Sequence, residues 1–206
     1  MAPPFPAFHA LFTAAAGGEL PGWDEAERAM AAVRVEAGGT VFAQAAEHPC
    51  VYAVRAGLLK LCYLGEDGTE WIKSFAHEGR FFASIAALQP GGRTSFGVVA
   101  LEPCVLERID HRVLLGLARR HLAWAHALHQ LAMVFAARKE ARERELLTLN
   151  AEARYRAFCA AEPLLARRIP QKDLARHLGL TPVGLNRIAM RVRRGGCGGL
   201  KILSNQ

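Results

Sequence analysis

Gln171-Lys172-Asp173-Leu174-Ala175-Arg176-His177-Leu178-Gly179-Leu180-Thr181-Pro182-Val183-Gly184-Leu185-Asn186-Arg187-Ile188-Ala189-Met190 decides how the chain is read. Leu174, Leu178, Leu180, Leu185 and Ile188 recur at helical spacing on both sides of Gly179, as two short helices sharing one small core require. Ala175 is small where those helices must cross closely. Gly179 suits the left-handed backbone that ends a helix. Thr181 is a good N-cap, and Pro182 fits the first helical position, where no amide hydrogen is needed. Helix, glycine turn and capped helix together predict a helix-turn-helix. Pro182, Val183, Asn186, Arg187 and, one turn on, Met190 or Arg191 then point outwards. Asn and Arg are the side chains that read adenine and guanine edges bidentately. The start of the second helix is where such motifs meet base edges. The pattern therefore predicts double-stranded DNA as a partner, with Gln171, Thr181, Pro182, Val183, Asn186, Arg187 and Arg191 as its contacts. Arg193 and Arg194, near the helix end, are expected to reach phosphates at most.

Charge is distributed accordingly. The chain of 206 residues carries a formal +7. Residues 1–137 hold 11 Lys and Arg against 13 Asp and Glu, a net −2, whereas residues 138–206 hold 15 against 6, a net +9. A basic segment of this kind gains from releasing counterions condensed on a phosphate backbone. After Arg194, Gly195-Gly196-Cys197-Gly198-Gly199 and Leu200-Lys201-Ile202-Leu203 predict a glycine turn and a short strand, a minimal β-wing.

Upstream the texture differs. Phe5, Phe8, Leu11 and Phe12 predict a short amphipathic helix, and Pro21–Ala32 a second, with Asp24, Glu25 and Glu27 in its early turns. From Val33 short apolar runs alternate with turn signals at intervals of about ten residues, the mark of an antiparallel barrel or jelly roll. Gly65-Glu66-Asp67-Gly68, between Leu61–Leu64 and Trp71–Phe75, predicts a hairpin. Residues 111–149 contain no Pro and predict a long helical region weakened only at Gly116. Within it Trp124, Leu128, Leu131 and Phe135 follow the 4-3-4 spacing of a coiled-coil seam and are expected to form a homodimer interface. A further helix is predicted over Asn150–Leu165.

Other chemistries find little support. Cys50, Cys62, Cys104, Cys159 and Cys197 are scattered and form no Cys-x-x-Cys pair, so neither a disulfide framework nor a zinc site is expected. His121, His126 and His129 on the long helical region read as solvated or interface residues, and His77 as a surface residue. A jelly-roll metalloenzyme needs His-x-His, which does not occur. No enzyme activity, metal or cofactor is expected. Met1 to Gly18 lacks Lys and Arg and is broken by Pro3, Pro4 and Pro6, unlike a secretory signal. With no run of apolar residues long enough for a membrane span, the expected location is the cytoplasm.

From Gly57-Leu58-Leu59-Lys60-Leu61-Cys62-Tyr63-Leu64 through His77-Glu78-Gly79-Arg80-Phe81-Phe82 to Leu178–Ile188, the chain resembles the bacterial Crp–Fnr family of transcription regulators. The resemblance implies an α+β chain. Residues 1–110 are expected as a cyclic-nucleotide-binding-like antiparallel β-roll (jelly roll), 111–149 as helices including a dimerisation helix, and 150–206 as a winged helix-turn-helix. It further implies a homodimer on a two-fold promoter site, RNA polymerase as a partner, and a small effector held near Phe82, Ser84, Arg93, Thr94 and Ser95. Cyclic-nucleotide-binding members are similar to Gly-Glu-Leu/Ile after the Phe pair, followed by Arg-Ser/Thr-Ala. Here Ala83-Ser84-Ile85 lacks that ribose-binding carboxylate, and Arg93-Thr94-Ser95 places Thr94 at the phosphate-binding arginine's position. The effector is therefore expected to differ from cyclic AMP. The competing reading is a small-molecule-binding module whose helix-turn-helix serves protein contacts.

Overall fold

The computed structural model describes residues 3–194. The chain divides into two compact units, Met1–Ala137 and Arg138–Gln206. The wing expected after Arg194 lies outside the described residues.

The first unit is built on two four-stranded antiparallel sheets. One has the order β1 (Ala31–Val35), β8 (Cys104–Asp110), β3 (Cys50–Ala56), β6 (Phe81–Phe82). The other runs β2 (Thr40–Phe42), β7 (Gly97–Ala100), β4 (Leu58–Leu64), β5 (Glu70–His77). This is the expected jelly roll. Strand β3 shows why the first sheet holds two cores at once. Its side chains alternate, so Tyr52 and Val54 enter the roll with Phe42, Phe82, Phe96 and Leu106. Val51 and Ala53 face the other way, towards the helices α1 (Pro6–Ala16), α2 (Trp23–Ala29), α4 (His111–Arg120) and α5 (Leu122–Thr148). Four consecutive buried residues are what a strand covered on both faces requires.

The outer core is anchored by α1, whose Phe8 and Phe12 are fully buried. Its first turn is held by a buried carboxylate far along the chain. Glu107 on β8 accepts the Ala7 N–H at 3.1 Å and the Phe8 N–H at 2.7 Å. A negative charge at a helix N-terminus is favourable, and here it also satisfies amides that the helix leaves unpaired. Trp124 stacks on Trp23 at 6.0 Å and donates its indole N–H to the Pro21 carbonyl at 2.7 Å.

Two boundaries differ from expectation. The helical region after Asp110 is not continuous: it breaks at His121, where φ −136° and ψ 118° are extended, and not at Gly116. The break lets the second helix turn Trp124 onto Pro21 and Trp23, so a tertiary contact and not local propensity sets it. The second helix is shorter than Pro21–Ala32 because Ala31 and Ala32 pair with Arg108 and Glu107 as β1. In the roll, a short α3 (Ile85–Leu88) lies against Gly92, where an added Cβ would stand 1.9 Å from the Ala86 carbonyl oxygen. Only glycine fits there.

The second unit holds the remainder of α5, α6 (Ala151–Ala161), α7 (Leu165–Arg168), α8 (Gln171–His177) and α9 (Pro182–Arg194). Asn150 caps α6 by accepting the Ala153 N–H at 2.9 Å, so this helix starts where expected but ends before Leu165. Its core joins Tyr155 and Cys159 to Leu165, Ile169, Leu174, Leu178, Leu185 and Ile188, all buried. Burying a side chain of this size contributes about 1.5–3 kcal/mol. No helix among the described residues is long and apolar enough to cross a membrane.

Candidate nucleic-acid interface

Helices α8 and α9 meet through Ala175, which is fully buried. Gly179 at φ 70° makes the left-handed turn, and the Leu180 N–H returns to the Ala175 carbonyl at 2.8 Å. The Thr181 hydroxyl accepts the Gly184 N–H at 3.1 Å, capping α9. Leu185 and Ile188 then face inwards, while Thr181, Pro182, Val183, Asn186, Arg187, Met190 and Arg191 are exposed. Leu180 is only half-buried, a smaller share of the core than its spacing suggested. Gln171, half-buried, opens the first turn of α8.

Two arginines that carry no motif brace the turn. Arg154 of α6 donates to the Leu178 carbonyl at 3.2 Å and to the Leu149 carbonyl at 2.7 Å. Arg142, from the end of α5, donates to the His177 carbonyl. Burial pulls the Arg142 guanidinium below the ordinary arginine pKa. The bonds to His177 and Leu178 occupy carbonyls that the end of α8 leaves without helical partners, and the bond to Leu149 does the same after α5. Beneath them burial pushes the Tyr155 phenol up to about 12. Arg191 is tethered as well: its guanidinium lies 3.1 Å from Glu152, whose carboxyl is held below its ordinary pKa by Arg156 and then Arg191. Neither the bracing pair nor the Glu152 tether has a fixed spacing by which sequence reading could have found it.

In the β-roll, the expected pocket residues are each engaged by the chain itself. Phe82 stacks on Tyr52 with ring centroids 5.1 Å apart and 5° between planes. Ser84 is buried and its hydroxyl accepts the Ser95 N–H at 3.0 Å. The Thr94 hydroxyl donates to the Ala43 carbonyl at 2.6 Å and accepts the Ala46 N–H at 2.9 Å. Arg93 is turned to solvent, ion-paired with Glu47 at 2.8 Å. Ser84 and Ser95 are thus brought together, and Arg93 stands apart from them.

The residues expected at the dimer seam are already engaged within the protomer. Trp124 is fully buried within the protomer, Leu131 nearly so, and Leu128 packs on the same core. Phe135 is half-buried, with the Lys73 ammonium 5.5 Å from its ring. The stripe read as intermolecular packs within the chain. The reason is geometric: a long helix seated on a core needs one apolar stripe for that core, and heptad spacing does not say which stripe it is.

A β-roll followed in the chain by a long helix and a helix-turn-helix is an arrangement found in solved structures. Residues 32–121 match the family described as cyclic nucleotide-binding domain. A transcriptional regulator of the crp/fnr family from Eubacterium rectale superposes with a TM-score of 0.67 at 14% identity, over 88% of this chain and 90% of that one. FixK2 from Bradyrhizobium japonicum gives 0.64 at 18% identity, over 83% and 89%. The catabolite activator protein of Thermus thermophilus gives 0.52 at 25% identity, over 87% and 85%. No curated protein matches the sequence. Residues 32–121 are thus similar to the cyclic nucleotide-binding domain, and the chain has the fold of the Crp–Fnr regulators it superposes on.

Proposed function

We propose that the chain is a homodimeric, sequence-specific DNA-binding regulator of the Crp–Fnr type, gated by a small effector other than cyclic AMP. The observation that carries this reading is the exposed face of α9, where Asn186 and Arg187 stand one turn beyond the Thr181 cap. They lie in a unit whose sequence carries a net +9. In this reading α9 enters the major groove, and Gln171, Thr181 and Arg191 steady it on the backbone. Two copies pair through α5, each presenting one reading helix to half of a two-fold site, with RNA polymerase as the downstream partner. Selection of bound fragments from a randomised duplex pool, followed by titration over a range of salt, is the test. A selected site that outcompetes random duplex, with affinity falling as salt rises, supports the reading. Equal affinity for both removes it.

The second reading, in which α9 contacts a protein, is favoured by Val183 and Met190, exposed at 62% and 53% on the same face. The DNA reading places such side chains against thymine methyl groups, so the same experiment separates the two.

Cyclic AMP is expected not to bind. Ser84 offers no carboxylate to a ribose hydroxyl, and the loss of one charge-assisted bond removes about 1.5–3 kcal/mol. Arg93 would also have to leave Glu47. Calorimetric titration with cyclic AMP checks this: micromolar binding together with tighter DNA affinity contradicts it.

A further inference from the structure

We propose that His126 and His129 form a proton-sensitive lock at the centre of the seam between two copies of this chain, closed when both imidazoles are neutral and opened when they are protonated. The proposal rests on the homodimer reading above and names what regulates it.

Between His121 and Ala137 the sequence holds no Asp, Glu, Lys or Arg, although charged residues make up 22% of the chain. Within this stretch Trp124, Ala127 and Leu131 turn towards the protomer core. The opposite face of α5 carries Leu122, His126, His129, Met133 and Ala136, at the alternating four- and three-residue spacing of a two-helix seam. All are exposed, Leu122 at 84% and Met133 at 54%. A helix face meant for water is ordinarily lined with charge. This one is uncharged over its whole length in the first unit, which matches a partner surface equally free of charge. Ala125 and Ala132 on one flank, and Ala137 on the other, are small enough to let two helices approach. A second copy meets each of these requirements at once, because heptad residues paired about a two-fold axis face their own images.

In that pairing His126 and His129 stack as adjacent imidazole layers. A neutral ring has one N–H donor and one bare acceptor nitrogen, so it can hydrogen-bond to its image. Protonated rings have donors only and repel. No carboxylate lies on α5 between His121 and Ala137; from the other elements, Glu25 of α2 is taken by Arg120 and the Lys73 ammonium of β5 lies 5.5 Å from the Phe135 ring. The nearest charged side chains along the helices are Arg120, six residues before His126 and ion-paired to Glu25 at 2.6 Å, and Arg138, nine residues after His129. Both are cations. The rings are exposed in the protomer, beside the exposed Gln130, and in the proposed seam they lie between the uncharged Leu122 and Met133 layers. The paired state therefore disfavours the charged form. Association is complete above the imidazole range and is lost as pH falls through it, from about 8 to about 5.

Sedimentation equilibrium of the full chain, in the presence of a chelator, at about pH 8 and about pH 5.5 tests the lock. The wild type is expected to dimerise at the higher pH, with a dissociation constant on the order of tenfold or more larger at the lower. The double variant His126→Asn/His129→Asn, altered only at exposed positions, is expected to dimerise at both with little change. A wild-type dimer indifferent to pH, or a double variant that keeps the response, overturns the lock and leaves the dimer standing. A chain monomeric at both pH values with and without chelator overturns the dimer itself. A dimer that disappears in chelator would show the rings bridging a metal ion instead of each other, which also overturns the lock. A Met133→Asp monomer must keep its native circular dichroism at the lower pH. Melting there would assign the response to the protomer and overturn the proposal.

Discussion

Asn186 and Arg187 sit one turn beyond the α9 cap, both exposed, above Leu185 and Ile188, both buried. Under the DNA reading Arg187 contacts a base edge. Arg187→Ala is then expected to cost about 1–3 kcal/mol at a selected site and to relax the preference at one base pair of each half-site. Competition binding against single-base variants of that site measures it, and an equal loss on random duplex would move Arg187 to the phosphates. Arg154 lends itself to a different check. Arg154→Met removes donors from the carbonyls of Leu178 and Leu149 and is expected to destabilise the second unit by about 1–3 kcal/mol, read from its denaturant midpoint. At this scale the sequence was legible wherever a residue's role follows from helical period or backbone dihedral. The buried side of α9, the Thr181 cap and the Gly179 turn are of that kind. The arginine braces were not, because a guanidinium on a long stem reaches carbonyls far away in sequence and leaves no spacing to read.

Helix α5 shows what an element can hide. Its sequence contains two heptad stripes offset by two residues, one through Trp124, Leu128 and Leu131 and one through Leu122, His126, His129 and Met133. Apolar content favoured the first as the intermolecular seam, yet that richness is what seats it on Phe12 and Trp23. Substitutions on the two stripes should therefore separate fold from assembly. Leu131→Ala is expected to lower protomer stability by about 2–5 kcal/mol, as buried leucine truncations do. Met133→Asp is expected to change protomer stability by about 0.5 kcal/mol or less while abolishing the dimer. Denaturant titration and sedimentation on both variants decide the matter, and the opposite pattern would restore the first stripe as the seam. The helix break at His121 escaped reading for the same reason: Trp124 and Pro21 make it, from 103 residues apart.

Across the first unit, strand positions were legible because turn signals and period-two alternation mark each one, as in β4 and β5 around Gly65–Gly68. Strand β1 was not read as a strand, since Ala31 and Ala32, expected at the end of the second helix, carry too little apolar area to announce one and take their place from Arg108 and Glu107 opposite. Two histidines of this unit give its stability a pH dependence. Burial holds His48 below the ordinary imidazole value of 6.5, with Arg108 adding to it, and burial does the same to His111. The fold favours their neutral forms, so their contribution is fully present above 6.5 and is lost as pH falls through the depressed folded values. Urea midpoints of the Met133→Asp monomer are expected to drop between neutral and mildly acidic pH, and His48→Gln to flatten that slope. A midpoint that rises on acidification would refute it. The contact between Glu107 and the first turn of α1 has a consequence for how the chain is made. The helix is made before its seat: the carboxylate that receives its amides follows 99 and 100 residues later, and Trp124 later still. At translation rates of about 5–20 residues per second, Phe8 and Phe12 wait roughly 5–20 s without a seat. For that interval the helix is an unburied apolar segment that a chaperone can hold.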